Sequence, residues 1–138
     1  MKIIVVGAGV VGARLAAVCC EAGHSVVVIE PEMSAAEPVA ESCDALVLNA
    51  SITDADIMDQ AGAAETDVLI ATTGDDAQNL MAIVMARDLG IDSLVAVVND
   101  KGHREMFERL GVRVMLEPEE LVARHLLKLA ERERDQPR

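Results

Sequence analysis

The chain has 138 residues, half of them hydrophobic, and a net charge of −12, which fits one domain with a substantial core. That acidity excludes a surface built to neutralise nucleic-acid phosphates and disfavours attraction to an anionic membrane. No stretch reaches the roughly 20 uninterrupted apolar residues of a membrane span, and with Phe107 the single aromatic the core must be built from Val, Leu, Ile, Ala and Met.

An apolar run, Ile3 to Val6, predicts a first strand over 2–6 that enters Gly7-x-Gly9-x-x-Gly12. Lys2, the apolar run and Ala16-Ala17 superficially resemble a signal peptide, but Arg14 interrupts them and the glycine pattern accounts for them better. A helix over 10–22 follows, with Gly23 placed as a C-cap glycine. The second strand, 25–30, ends in Glu30, eighteen residues after Gly12. Strand, glycine turn, helix, strand and terminal acid together make a dinucleotide-binding unit. The glycines allow a tight turn, close backbone approach to a pyrophosphate and close helix–strand packing. The helix N-terminus offers free N–H groups to phosphates, and the acid can accept from ribose hydroxyls. A carboxylate at position 30 also repels a 2′-phosphate, favouring NAD or adenosine nucleotides over NADP.

Pro31 opens a helix over 33–42, weakened in its middle by Pro38. A short third strand spans 45–48. After a loop at 49–53, Asp54 is placed to cap a helix over 55–61 that Gly62 closes. The fourth strand, 68–71, leads through Thr72-Thr73-Gly74-Asp75-Asp76 into a long helix, 77–89, ended by Gly90. The fifth strand is 93–98, a helix over 102–110 ends at Gly111, and the sixth strand is 112–116. The last helix runs from Pro118 to about 132, and the tail, 135–138, is expected to fray, leaving residues 1–134 as one domain.

Six short apolar strands alternating with helices predict an α/β Rossmann fold: a doubly wound, six-stranded parallel sheet in order 3-2-1-4-5-6. The ligand then lies across the carboxyl ends of strands one and four. The loops that matter carry Gly7 to Gly12, Glu30, Ala50 to Thr53, and Thr72 to Asp76.

Those loops resemble the TrkA-N, or RCK N-terminal, domain of Trk/Ktr-type potassium-uptake regulators. The resemblance spans nearly the whole chain. It rests on Gly7-Ala-Gly-Val-Val-Gly12, Gly23-His-Ser-Val-Val-Val-Ile-Glu30, Ile70-Ala-Thr-Thr73-Gly-Asp-Asp76-Ala-Gln-Asn79-Leu and Leu110-Gly-Val-Arg-Val-Met-Leu-Glu-Pro118. The glycine fingerprint is common to many families; Thr73-Gly-Asp-Asp76…Asn79, followed by Gly111…Pro118, is much more specific. The resemblance implies a domain that senses NAD(H), ATP/ADP, AMP or a similar nucleotide without catalysis. It implies a homodimer or higher ring attached to a membrane-embedded potassium channel or transporter subunit, whose gating follows nucleotide binding. It places the protein in the cytoplasm, at most peripheral to the membrane. By position, Gly7, Ala8, Gly9, Val10, Val11 and Gly12 belong to the pyrophosphate loop and Glu30 to the ribose. Ser51 and Ile52 belong near adenine, and Thr73 and Gly74 flank the phosphates or nicotinamide side.

Three departures stand out. The family usually has Gly-Asp where this chain has Ala50-Ser51, which removes a carboxylate that could accept from the adenine amino group, although a serine hydroxyl can still hydrogen-bond. It commonly has Arg where Val97 stands. The second, ligand-binding RCK subdomain does not follow the last helix, implying a free-standing regulator or one paired with another chain.

Other groups have plainer readings. Cys19, Cys20 and Cys43 lack metal spacing and read as small core or near-surface residues in a reducing compartment, a redox role being the alternative. Asp75 and Asp76 form a helix cap or, less simply, a metal site. Asn79 is either a cleft-facing amide or an ordinary helix-surface one. His24 and His125 read as structural or exposed, while His103 is placed where it could approach the cleft. Glu117, Glu119 and Glu120 surround a helix start as a solvated face. Val122, Leu126, Leu129 and Ala130 form an apolar stripe on the last helix, for the sheet or for another subunit. Against the sensor stand two alternatives: a small NAD-dependent oxidoreductase, and an adaptor with a vestigial site. The chain has no Tyr for a Tyr-x-x-x-Lys pair and no second domain to supply a substrate pocket.

Overall fold

β-branched runs, each separated from the next by a helix that a glycine or polar turn ends, bury best in the middle of a parallel sheet covered on both faces. The computed structural model describes residues 1–135. Its strands are β1 (Lys2–Val6), β2 (Ser25–Ile29), β3 (Leu46–Leu48), β4 (Val68–Ala71), β5 (Ser93–Val98) and β6 (Arg113–Leu116). All pair in parallel in the order β3-β2-β1-β4-β5-β6, the doubly wound Rossmann sheet expected. Val6 is level with Ile29 on one side and Ala71 on the other, so the loops leaving β1, β2 and β4 start at one height.

Alternate residues of β1 feed two cores. Ile3 and Val5 pack with α1 (Val10–Glu21) and α2 (Met33–Ser42), against Ala16, Cys19 and Val39. Ile4 and Val6 face α3 (Ile57–Gln60), α4 (Asp76–Asp88) and α5 (Arg104–Arg109), where Ile83 and Phe107 are fully buried. The edge strands are not covered on both sides: Leu46 and Met115 are exposed.

Several boundaries differ from the sequence reading. α2 runs unbroken through Pro38, because Pro38 and Ser34 are both exposed and water can serve the Ser34 carbonyl that loses its partner. Asp54 caps no helix. Its carboxylate accepts from the Ser51 N–H at 2.9 Å, closing a turn over 51–54, and α3 starts only after Asp56 turns through a left-handed conformation at φ 61°. Asp tolerates that region better than most side chains. The helix expected over 102–110 begins as a 3₁₀ turn, Lys101–His103, before α5.

The last helix, α6 (Pro118–Asp135), extends further than expected. The predicted frayed tail lies outside the described residues from 136 on. Its apolar stripe does not pack on the sheet: Leu121, Val122, Leu126 and Leu129 are all exposed, Leu126 by 60%. Among the described residues no helix is long and apolar enough to cross a membrane.

Candidate functional site

Each fingerprint glycine does a different job. Gly7 holds φ at 100°, and a Cβ there would meet Thr72 Oγ1 and Thr73 Cγ2 at 3.0 Å. At Gly9 a Cβ would meet nothing within 4 Å, so the space beside the loop is open for a ligand. At Gly12 it would lie 2.0 Å from the Gly7 carbonyl oxygen, so only glycine lets α1 sit this close to the loop. Among the described residues no side chain caps α1, leaving its first-turn N–H groups for an anion.

Glu30, at the end of β2, is 8% exposed. One carboxylate oxygen accepts from the Ala8 N–H at 2.8 Å and the other from the Glu32 N–H at 2.9 Å. It therefore braces the glycine loop while still lining the cleft. Each oxygen keeps a further lone pair for a hydroxyl donor.

The Thr72–Asp76 loop is fastened from below. Thr72 Oγ1 donates to the Val6 carbonyl at 2.9 Å, tying β4 to β1 at the base of the glycine loop. Asn79 is fully buried. Its Oδ1 accepts from the Thr73 N–H (3.0 Å) and Oγ1 (2.6 Å), and its Nδ2 donates to the carbonyls of Thr73 and Val97, both at 2.9 Å. One amide thus sets the loop after β4 against the end of β5. Asn79 is neither a cleft-facing nor a surface amide. The signal was its place on the stripe of Asn79, Ala82, Ile83 and Ala86, which is the buried face of α4.

These loops enclose two pockets that share Gly7, Glu30 and Thr73. The proximal one, about 250 Å³, adds Glu32, Ser51, Ile52 and Gln78. The distal one, about 330 Å³, adds Gly9, Val10, Val11, Gly74, Val97, Asn99 and the start of α6 at Pro118 and Glu119. Of the residues singled out from sequence, Gly7, Gly9, Val10, Val11, Glu30, Ser51, Ile52, Thr73 and Gly74 come together in this cleft. Ala8 and Gly12 do not line it: the Ala8 N–H is taken by Glu30, and Gly12 packs on Gly7. The Ser51 hydroxyl already bonds the Thr53 hydroxyl at 2.8 Å, and Ile52 supplies a buried apolar wall. Gln78, Asn99 and Glu119 were not foreseen as cleft residues; their separation in sequence hides what the sheet order brings together.

Asp75 caps α4, accepting from the Ala77 and Gln78 N–H groups. Asp76 instead spans to the turn after β5, accepting from the N–H groups of Asn99 and Asp100, the Asn99 amide and the His103 ring. Burial alone would push its carboxyl up. The Asn99 N–H, His103 ring, Asp100 N–H and Asn99 amide outweigh that and hold it at about 2. The same hydrogen bond raises His103, which is tied to Asp76 and lines neither pocket. Cys20 lies against Cys43, and burial, then the hydrogen bond to Cys43, push its thiol up to about 11. A thiol so far from ionising is a poor redox nucleophile.

The TrkA-N domain profile matches residues 3–118. The chain is 33% identical over 132 residues to a Trk system potassium uptake protein TrkA homolog of Methanothermobacter thermautotrophicus, covering 96% of this chain and 61% of that one. It is 30% identical to a TrkA homolog 2 of Methanosarcina mazei, spanning 93% of this chain and 29% of the relative. The chain therefore spans less than two thirds of either relative. Among solved structures, the TrkA-N domain of the inner membrane protein ybaL from Escherichia coli superposes with a TM-score of 0.81 at 20% identity, over 93% of this chain and 95% of that one. The GsuK channel bound to NAD superposes at 0.72 and 23% identity, over 83% and 21%. The Kef C-terminal domain of Shewanella denitrificans in its AMP-bound form superposes at 0.68 and 18%, over 83% and 72%.

Proposed function

The chain belongs to the TrkA-N domain family, and on that premise we propose that it is a nucleotide-sensing regulatory module of a potassium or other cation transport system. It binds NAD(H), or ADP, ATP or AMP, without turning it over. The observation that carries this reading is the two-part cleft over the carboxyl ends of β1 and β4, with Glu30 and Thr73 common to both parts. The N–H groups at the start of α1, beside the open space at Gly9, receive the pyrophosphate. Glu30 accepts from a ribose hydroxyl, Ile52 and Ser51 border the adenine, and Thr73 and Gly74 border the second half of the ligand.

The lining supports a reading without turnover. Among the described residues, neither pocket is lined by a Tyr, His, Lys or Cys; the titratable side chains there are Glu30, Glu32 and Glu119, and both oxygens of Glu30 already accept from backbone N–H groups. A catalytic role is therefore the weaker reading, and an adaptor with a vestigial site is the reading that remains if no nucleotide binds.

The output runs through α6. Its first residues, Pro118 and Glu119, wall the distal pocket, while the stripe of Val122, Leu126 and Leu129 is open to a second copy of the chain. A ligand that shifts the start of α6 shifts the partner packed on its far end. In this reading the module works on the cytoplasmic side of a membrane-embedded partner. Calorimetric titration with NAD, NADH, ATP, ADP and AMP, with recovery of the nucleotide afterwards, tests the proposal. Binding of at least one, recovered unchanged, is the expected result; hydride transfer would make it an enzyme, and no binding would leave the adaptor.

A further inference from the structure

The distal half of the cleft has an unusual balance of hydrogen-bonding groups. Its side-chain donors are Thr72, Thr73 and Asn99. Each is already committed inside the protein. Thr72 Oγ1 donates to the Val6 carbonyl, Thr73 Oγ1 to Asn79 Oδ1, and the Asn99 amide to the Thr73 carbonyl and to Asp76. Val97 presents only alkyl surface there, and its carbonyl is taken by Asn79. The charged side chains that line this half are Glu30 and Glu119, both acceptors. Among the described residues, no Lys, Arg or His lines either half.

The free donors of this half are the backbone N–H groups at the start of α1, which a pyrophosphate takes up. Beyond them the side-chain lining is acceptor-rich and negatively charged, which favours a ligand whose far end is a hydrogen-bond donor or a cation and opposes one whose far end carries more phosphate. Resting on the reading of the cleft as a nucleotide site, we infer that its distal half selects the cationic nicotinamide of oxidised NAD, with Glu119 as the specificity-determining residue. NADH lacks the positive ring charge, and ATP places a third phosphate where no side-chain donor is free. The ribose hydroxyls and carboxamide N–H groups beyond the pyrophosphate are the donors that such a lining accepts.

Titration of wild-type protein, Glu119→Gln and the control Glu21→Gln, at the exposed far end of α1, separates the possibilities. The ligands are NAD, NADH, ADP-ribose and ATP with and without magnesium. In wild type, NAD binds about fivefold tighter than NADH, the size of one partly screened charge contact, and tighter than ATP in either condition. Glu119→Gln removes most of the NAD preference and changes ADP-ribose, which has no nicotinamide, by less than twofold. Glu21→Gln leaves the NAD/NADH ratio as it was. Added salt narrows that ratio in wild type. NADH or ATP binding as tightly as NAD, or a ratio untouched by Glu119→Gln, overturns the inference while leaving the nucleotide site standing. Failure of ADP-ribose and all the others to bind overturns both.

Discussion

Asn79 sits on the buried stripe of α4, and its amide has no water to turn to. All four of its hydrogen bonds go to Thr73 and Val97, so truncation leaves the Thr73 N–H and two carbonyls short of partners. Asn79→Ala should cost about 2–3 kcal/mol in chemical denaturation, the scale of stranded buried polar groups, and should weaken nucleotide binding more than its distance from the ligand would imply. A variant of unchanged stability would mean that the loop holds its shape without the amide. Asp76 gives the second residue-level expectation. Its carboxyl is lowered from 3.8 to about 2, so it stabilises the fold fully above pH 4, and that contribution is lost as pH falls towards 2. His103 has the opposite sign: raised above its ordinary value, it contributes fully below about pH 6.5 and loses that contribution as pH rises through its folded-state value. Melting temperature followed from pH 5 to pH 2 should fall more steeply in wild type than in Asp76→Asn. Equal slopes would show that Asp76 is not a source of the acid sensitivity.

At the scale of elements, the sequence was most legible where apolar runs and glycine stops coincide. The glycine at C′ of α1, Gly23, has φ 85°, and the strands that flank α1 follow directly from their patterns. Legibility failed where a side chain chose between two nearby backbone partners. Asp54 has the composition of a cap, but its carboxylate turns back to Ser51; nothing in the spacing distinguishes those outcomes. Asn79 was misread for a related reason, since a polar residue on an apolar stripe only makes sense once the carbonyl of Val97 is known to lie opposite. α6 shows a third kind of gap. Its stripe was legible, but not where it points. Glu117, at φ 45°, turns the chain in a left-handed conformation between β6 and α6, and the stripe on the helix that follows stays exposed. Because Leu126 packs on little within the chain, Leu126→Glu should leave the melting temperature within about 1 °C, as exposed substitutions do. It should also move sedimentation towards the monomer. A cooperative loss of fold would instead place Leu126 in an intramolecular core.

For the molecule as a whole, the six-stranded order brings together groups that lie far apart in sequence. The fingerprint at 7–12, Glu30, the loop at 72–76, Asn99 and Glu119 meet because β1 lies between β2 and β4 and the chain returns along β5 and β6. The first three were legible as separate motifs, and the fold that unites them followed from six apolar strands alternating with helices. Asn99 and Glu119 were not, since their role depends on which loop ends at which height. The acidic balance, which opposes both nucleic acid and an anionic membrane, acquires a local meaning once Glu30, Glu32 and Glu119 are found around a cleft that no cation lines among the described residues. The central claim is that this cleft binds a nucleotide and reports it without chemistry. Calorimetric titration of NAD into wild-type protein and Glu30→Ala, followed by recovery of the nucleotide, tests it most directly. The expected result is one saturable site per chain, weakened in the variant by about 1.5–3 kcal/mol for a charge-assisted contact, with NAD recovered unchanged. No saturable binding, equal affinity in the two proteins, or conversion of the NAD would contradict it.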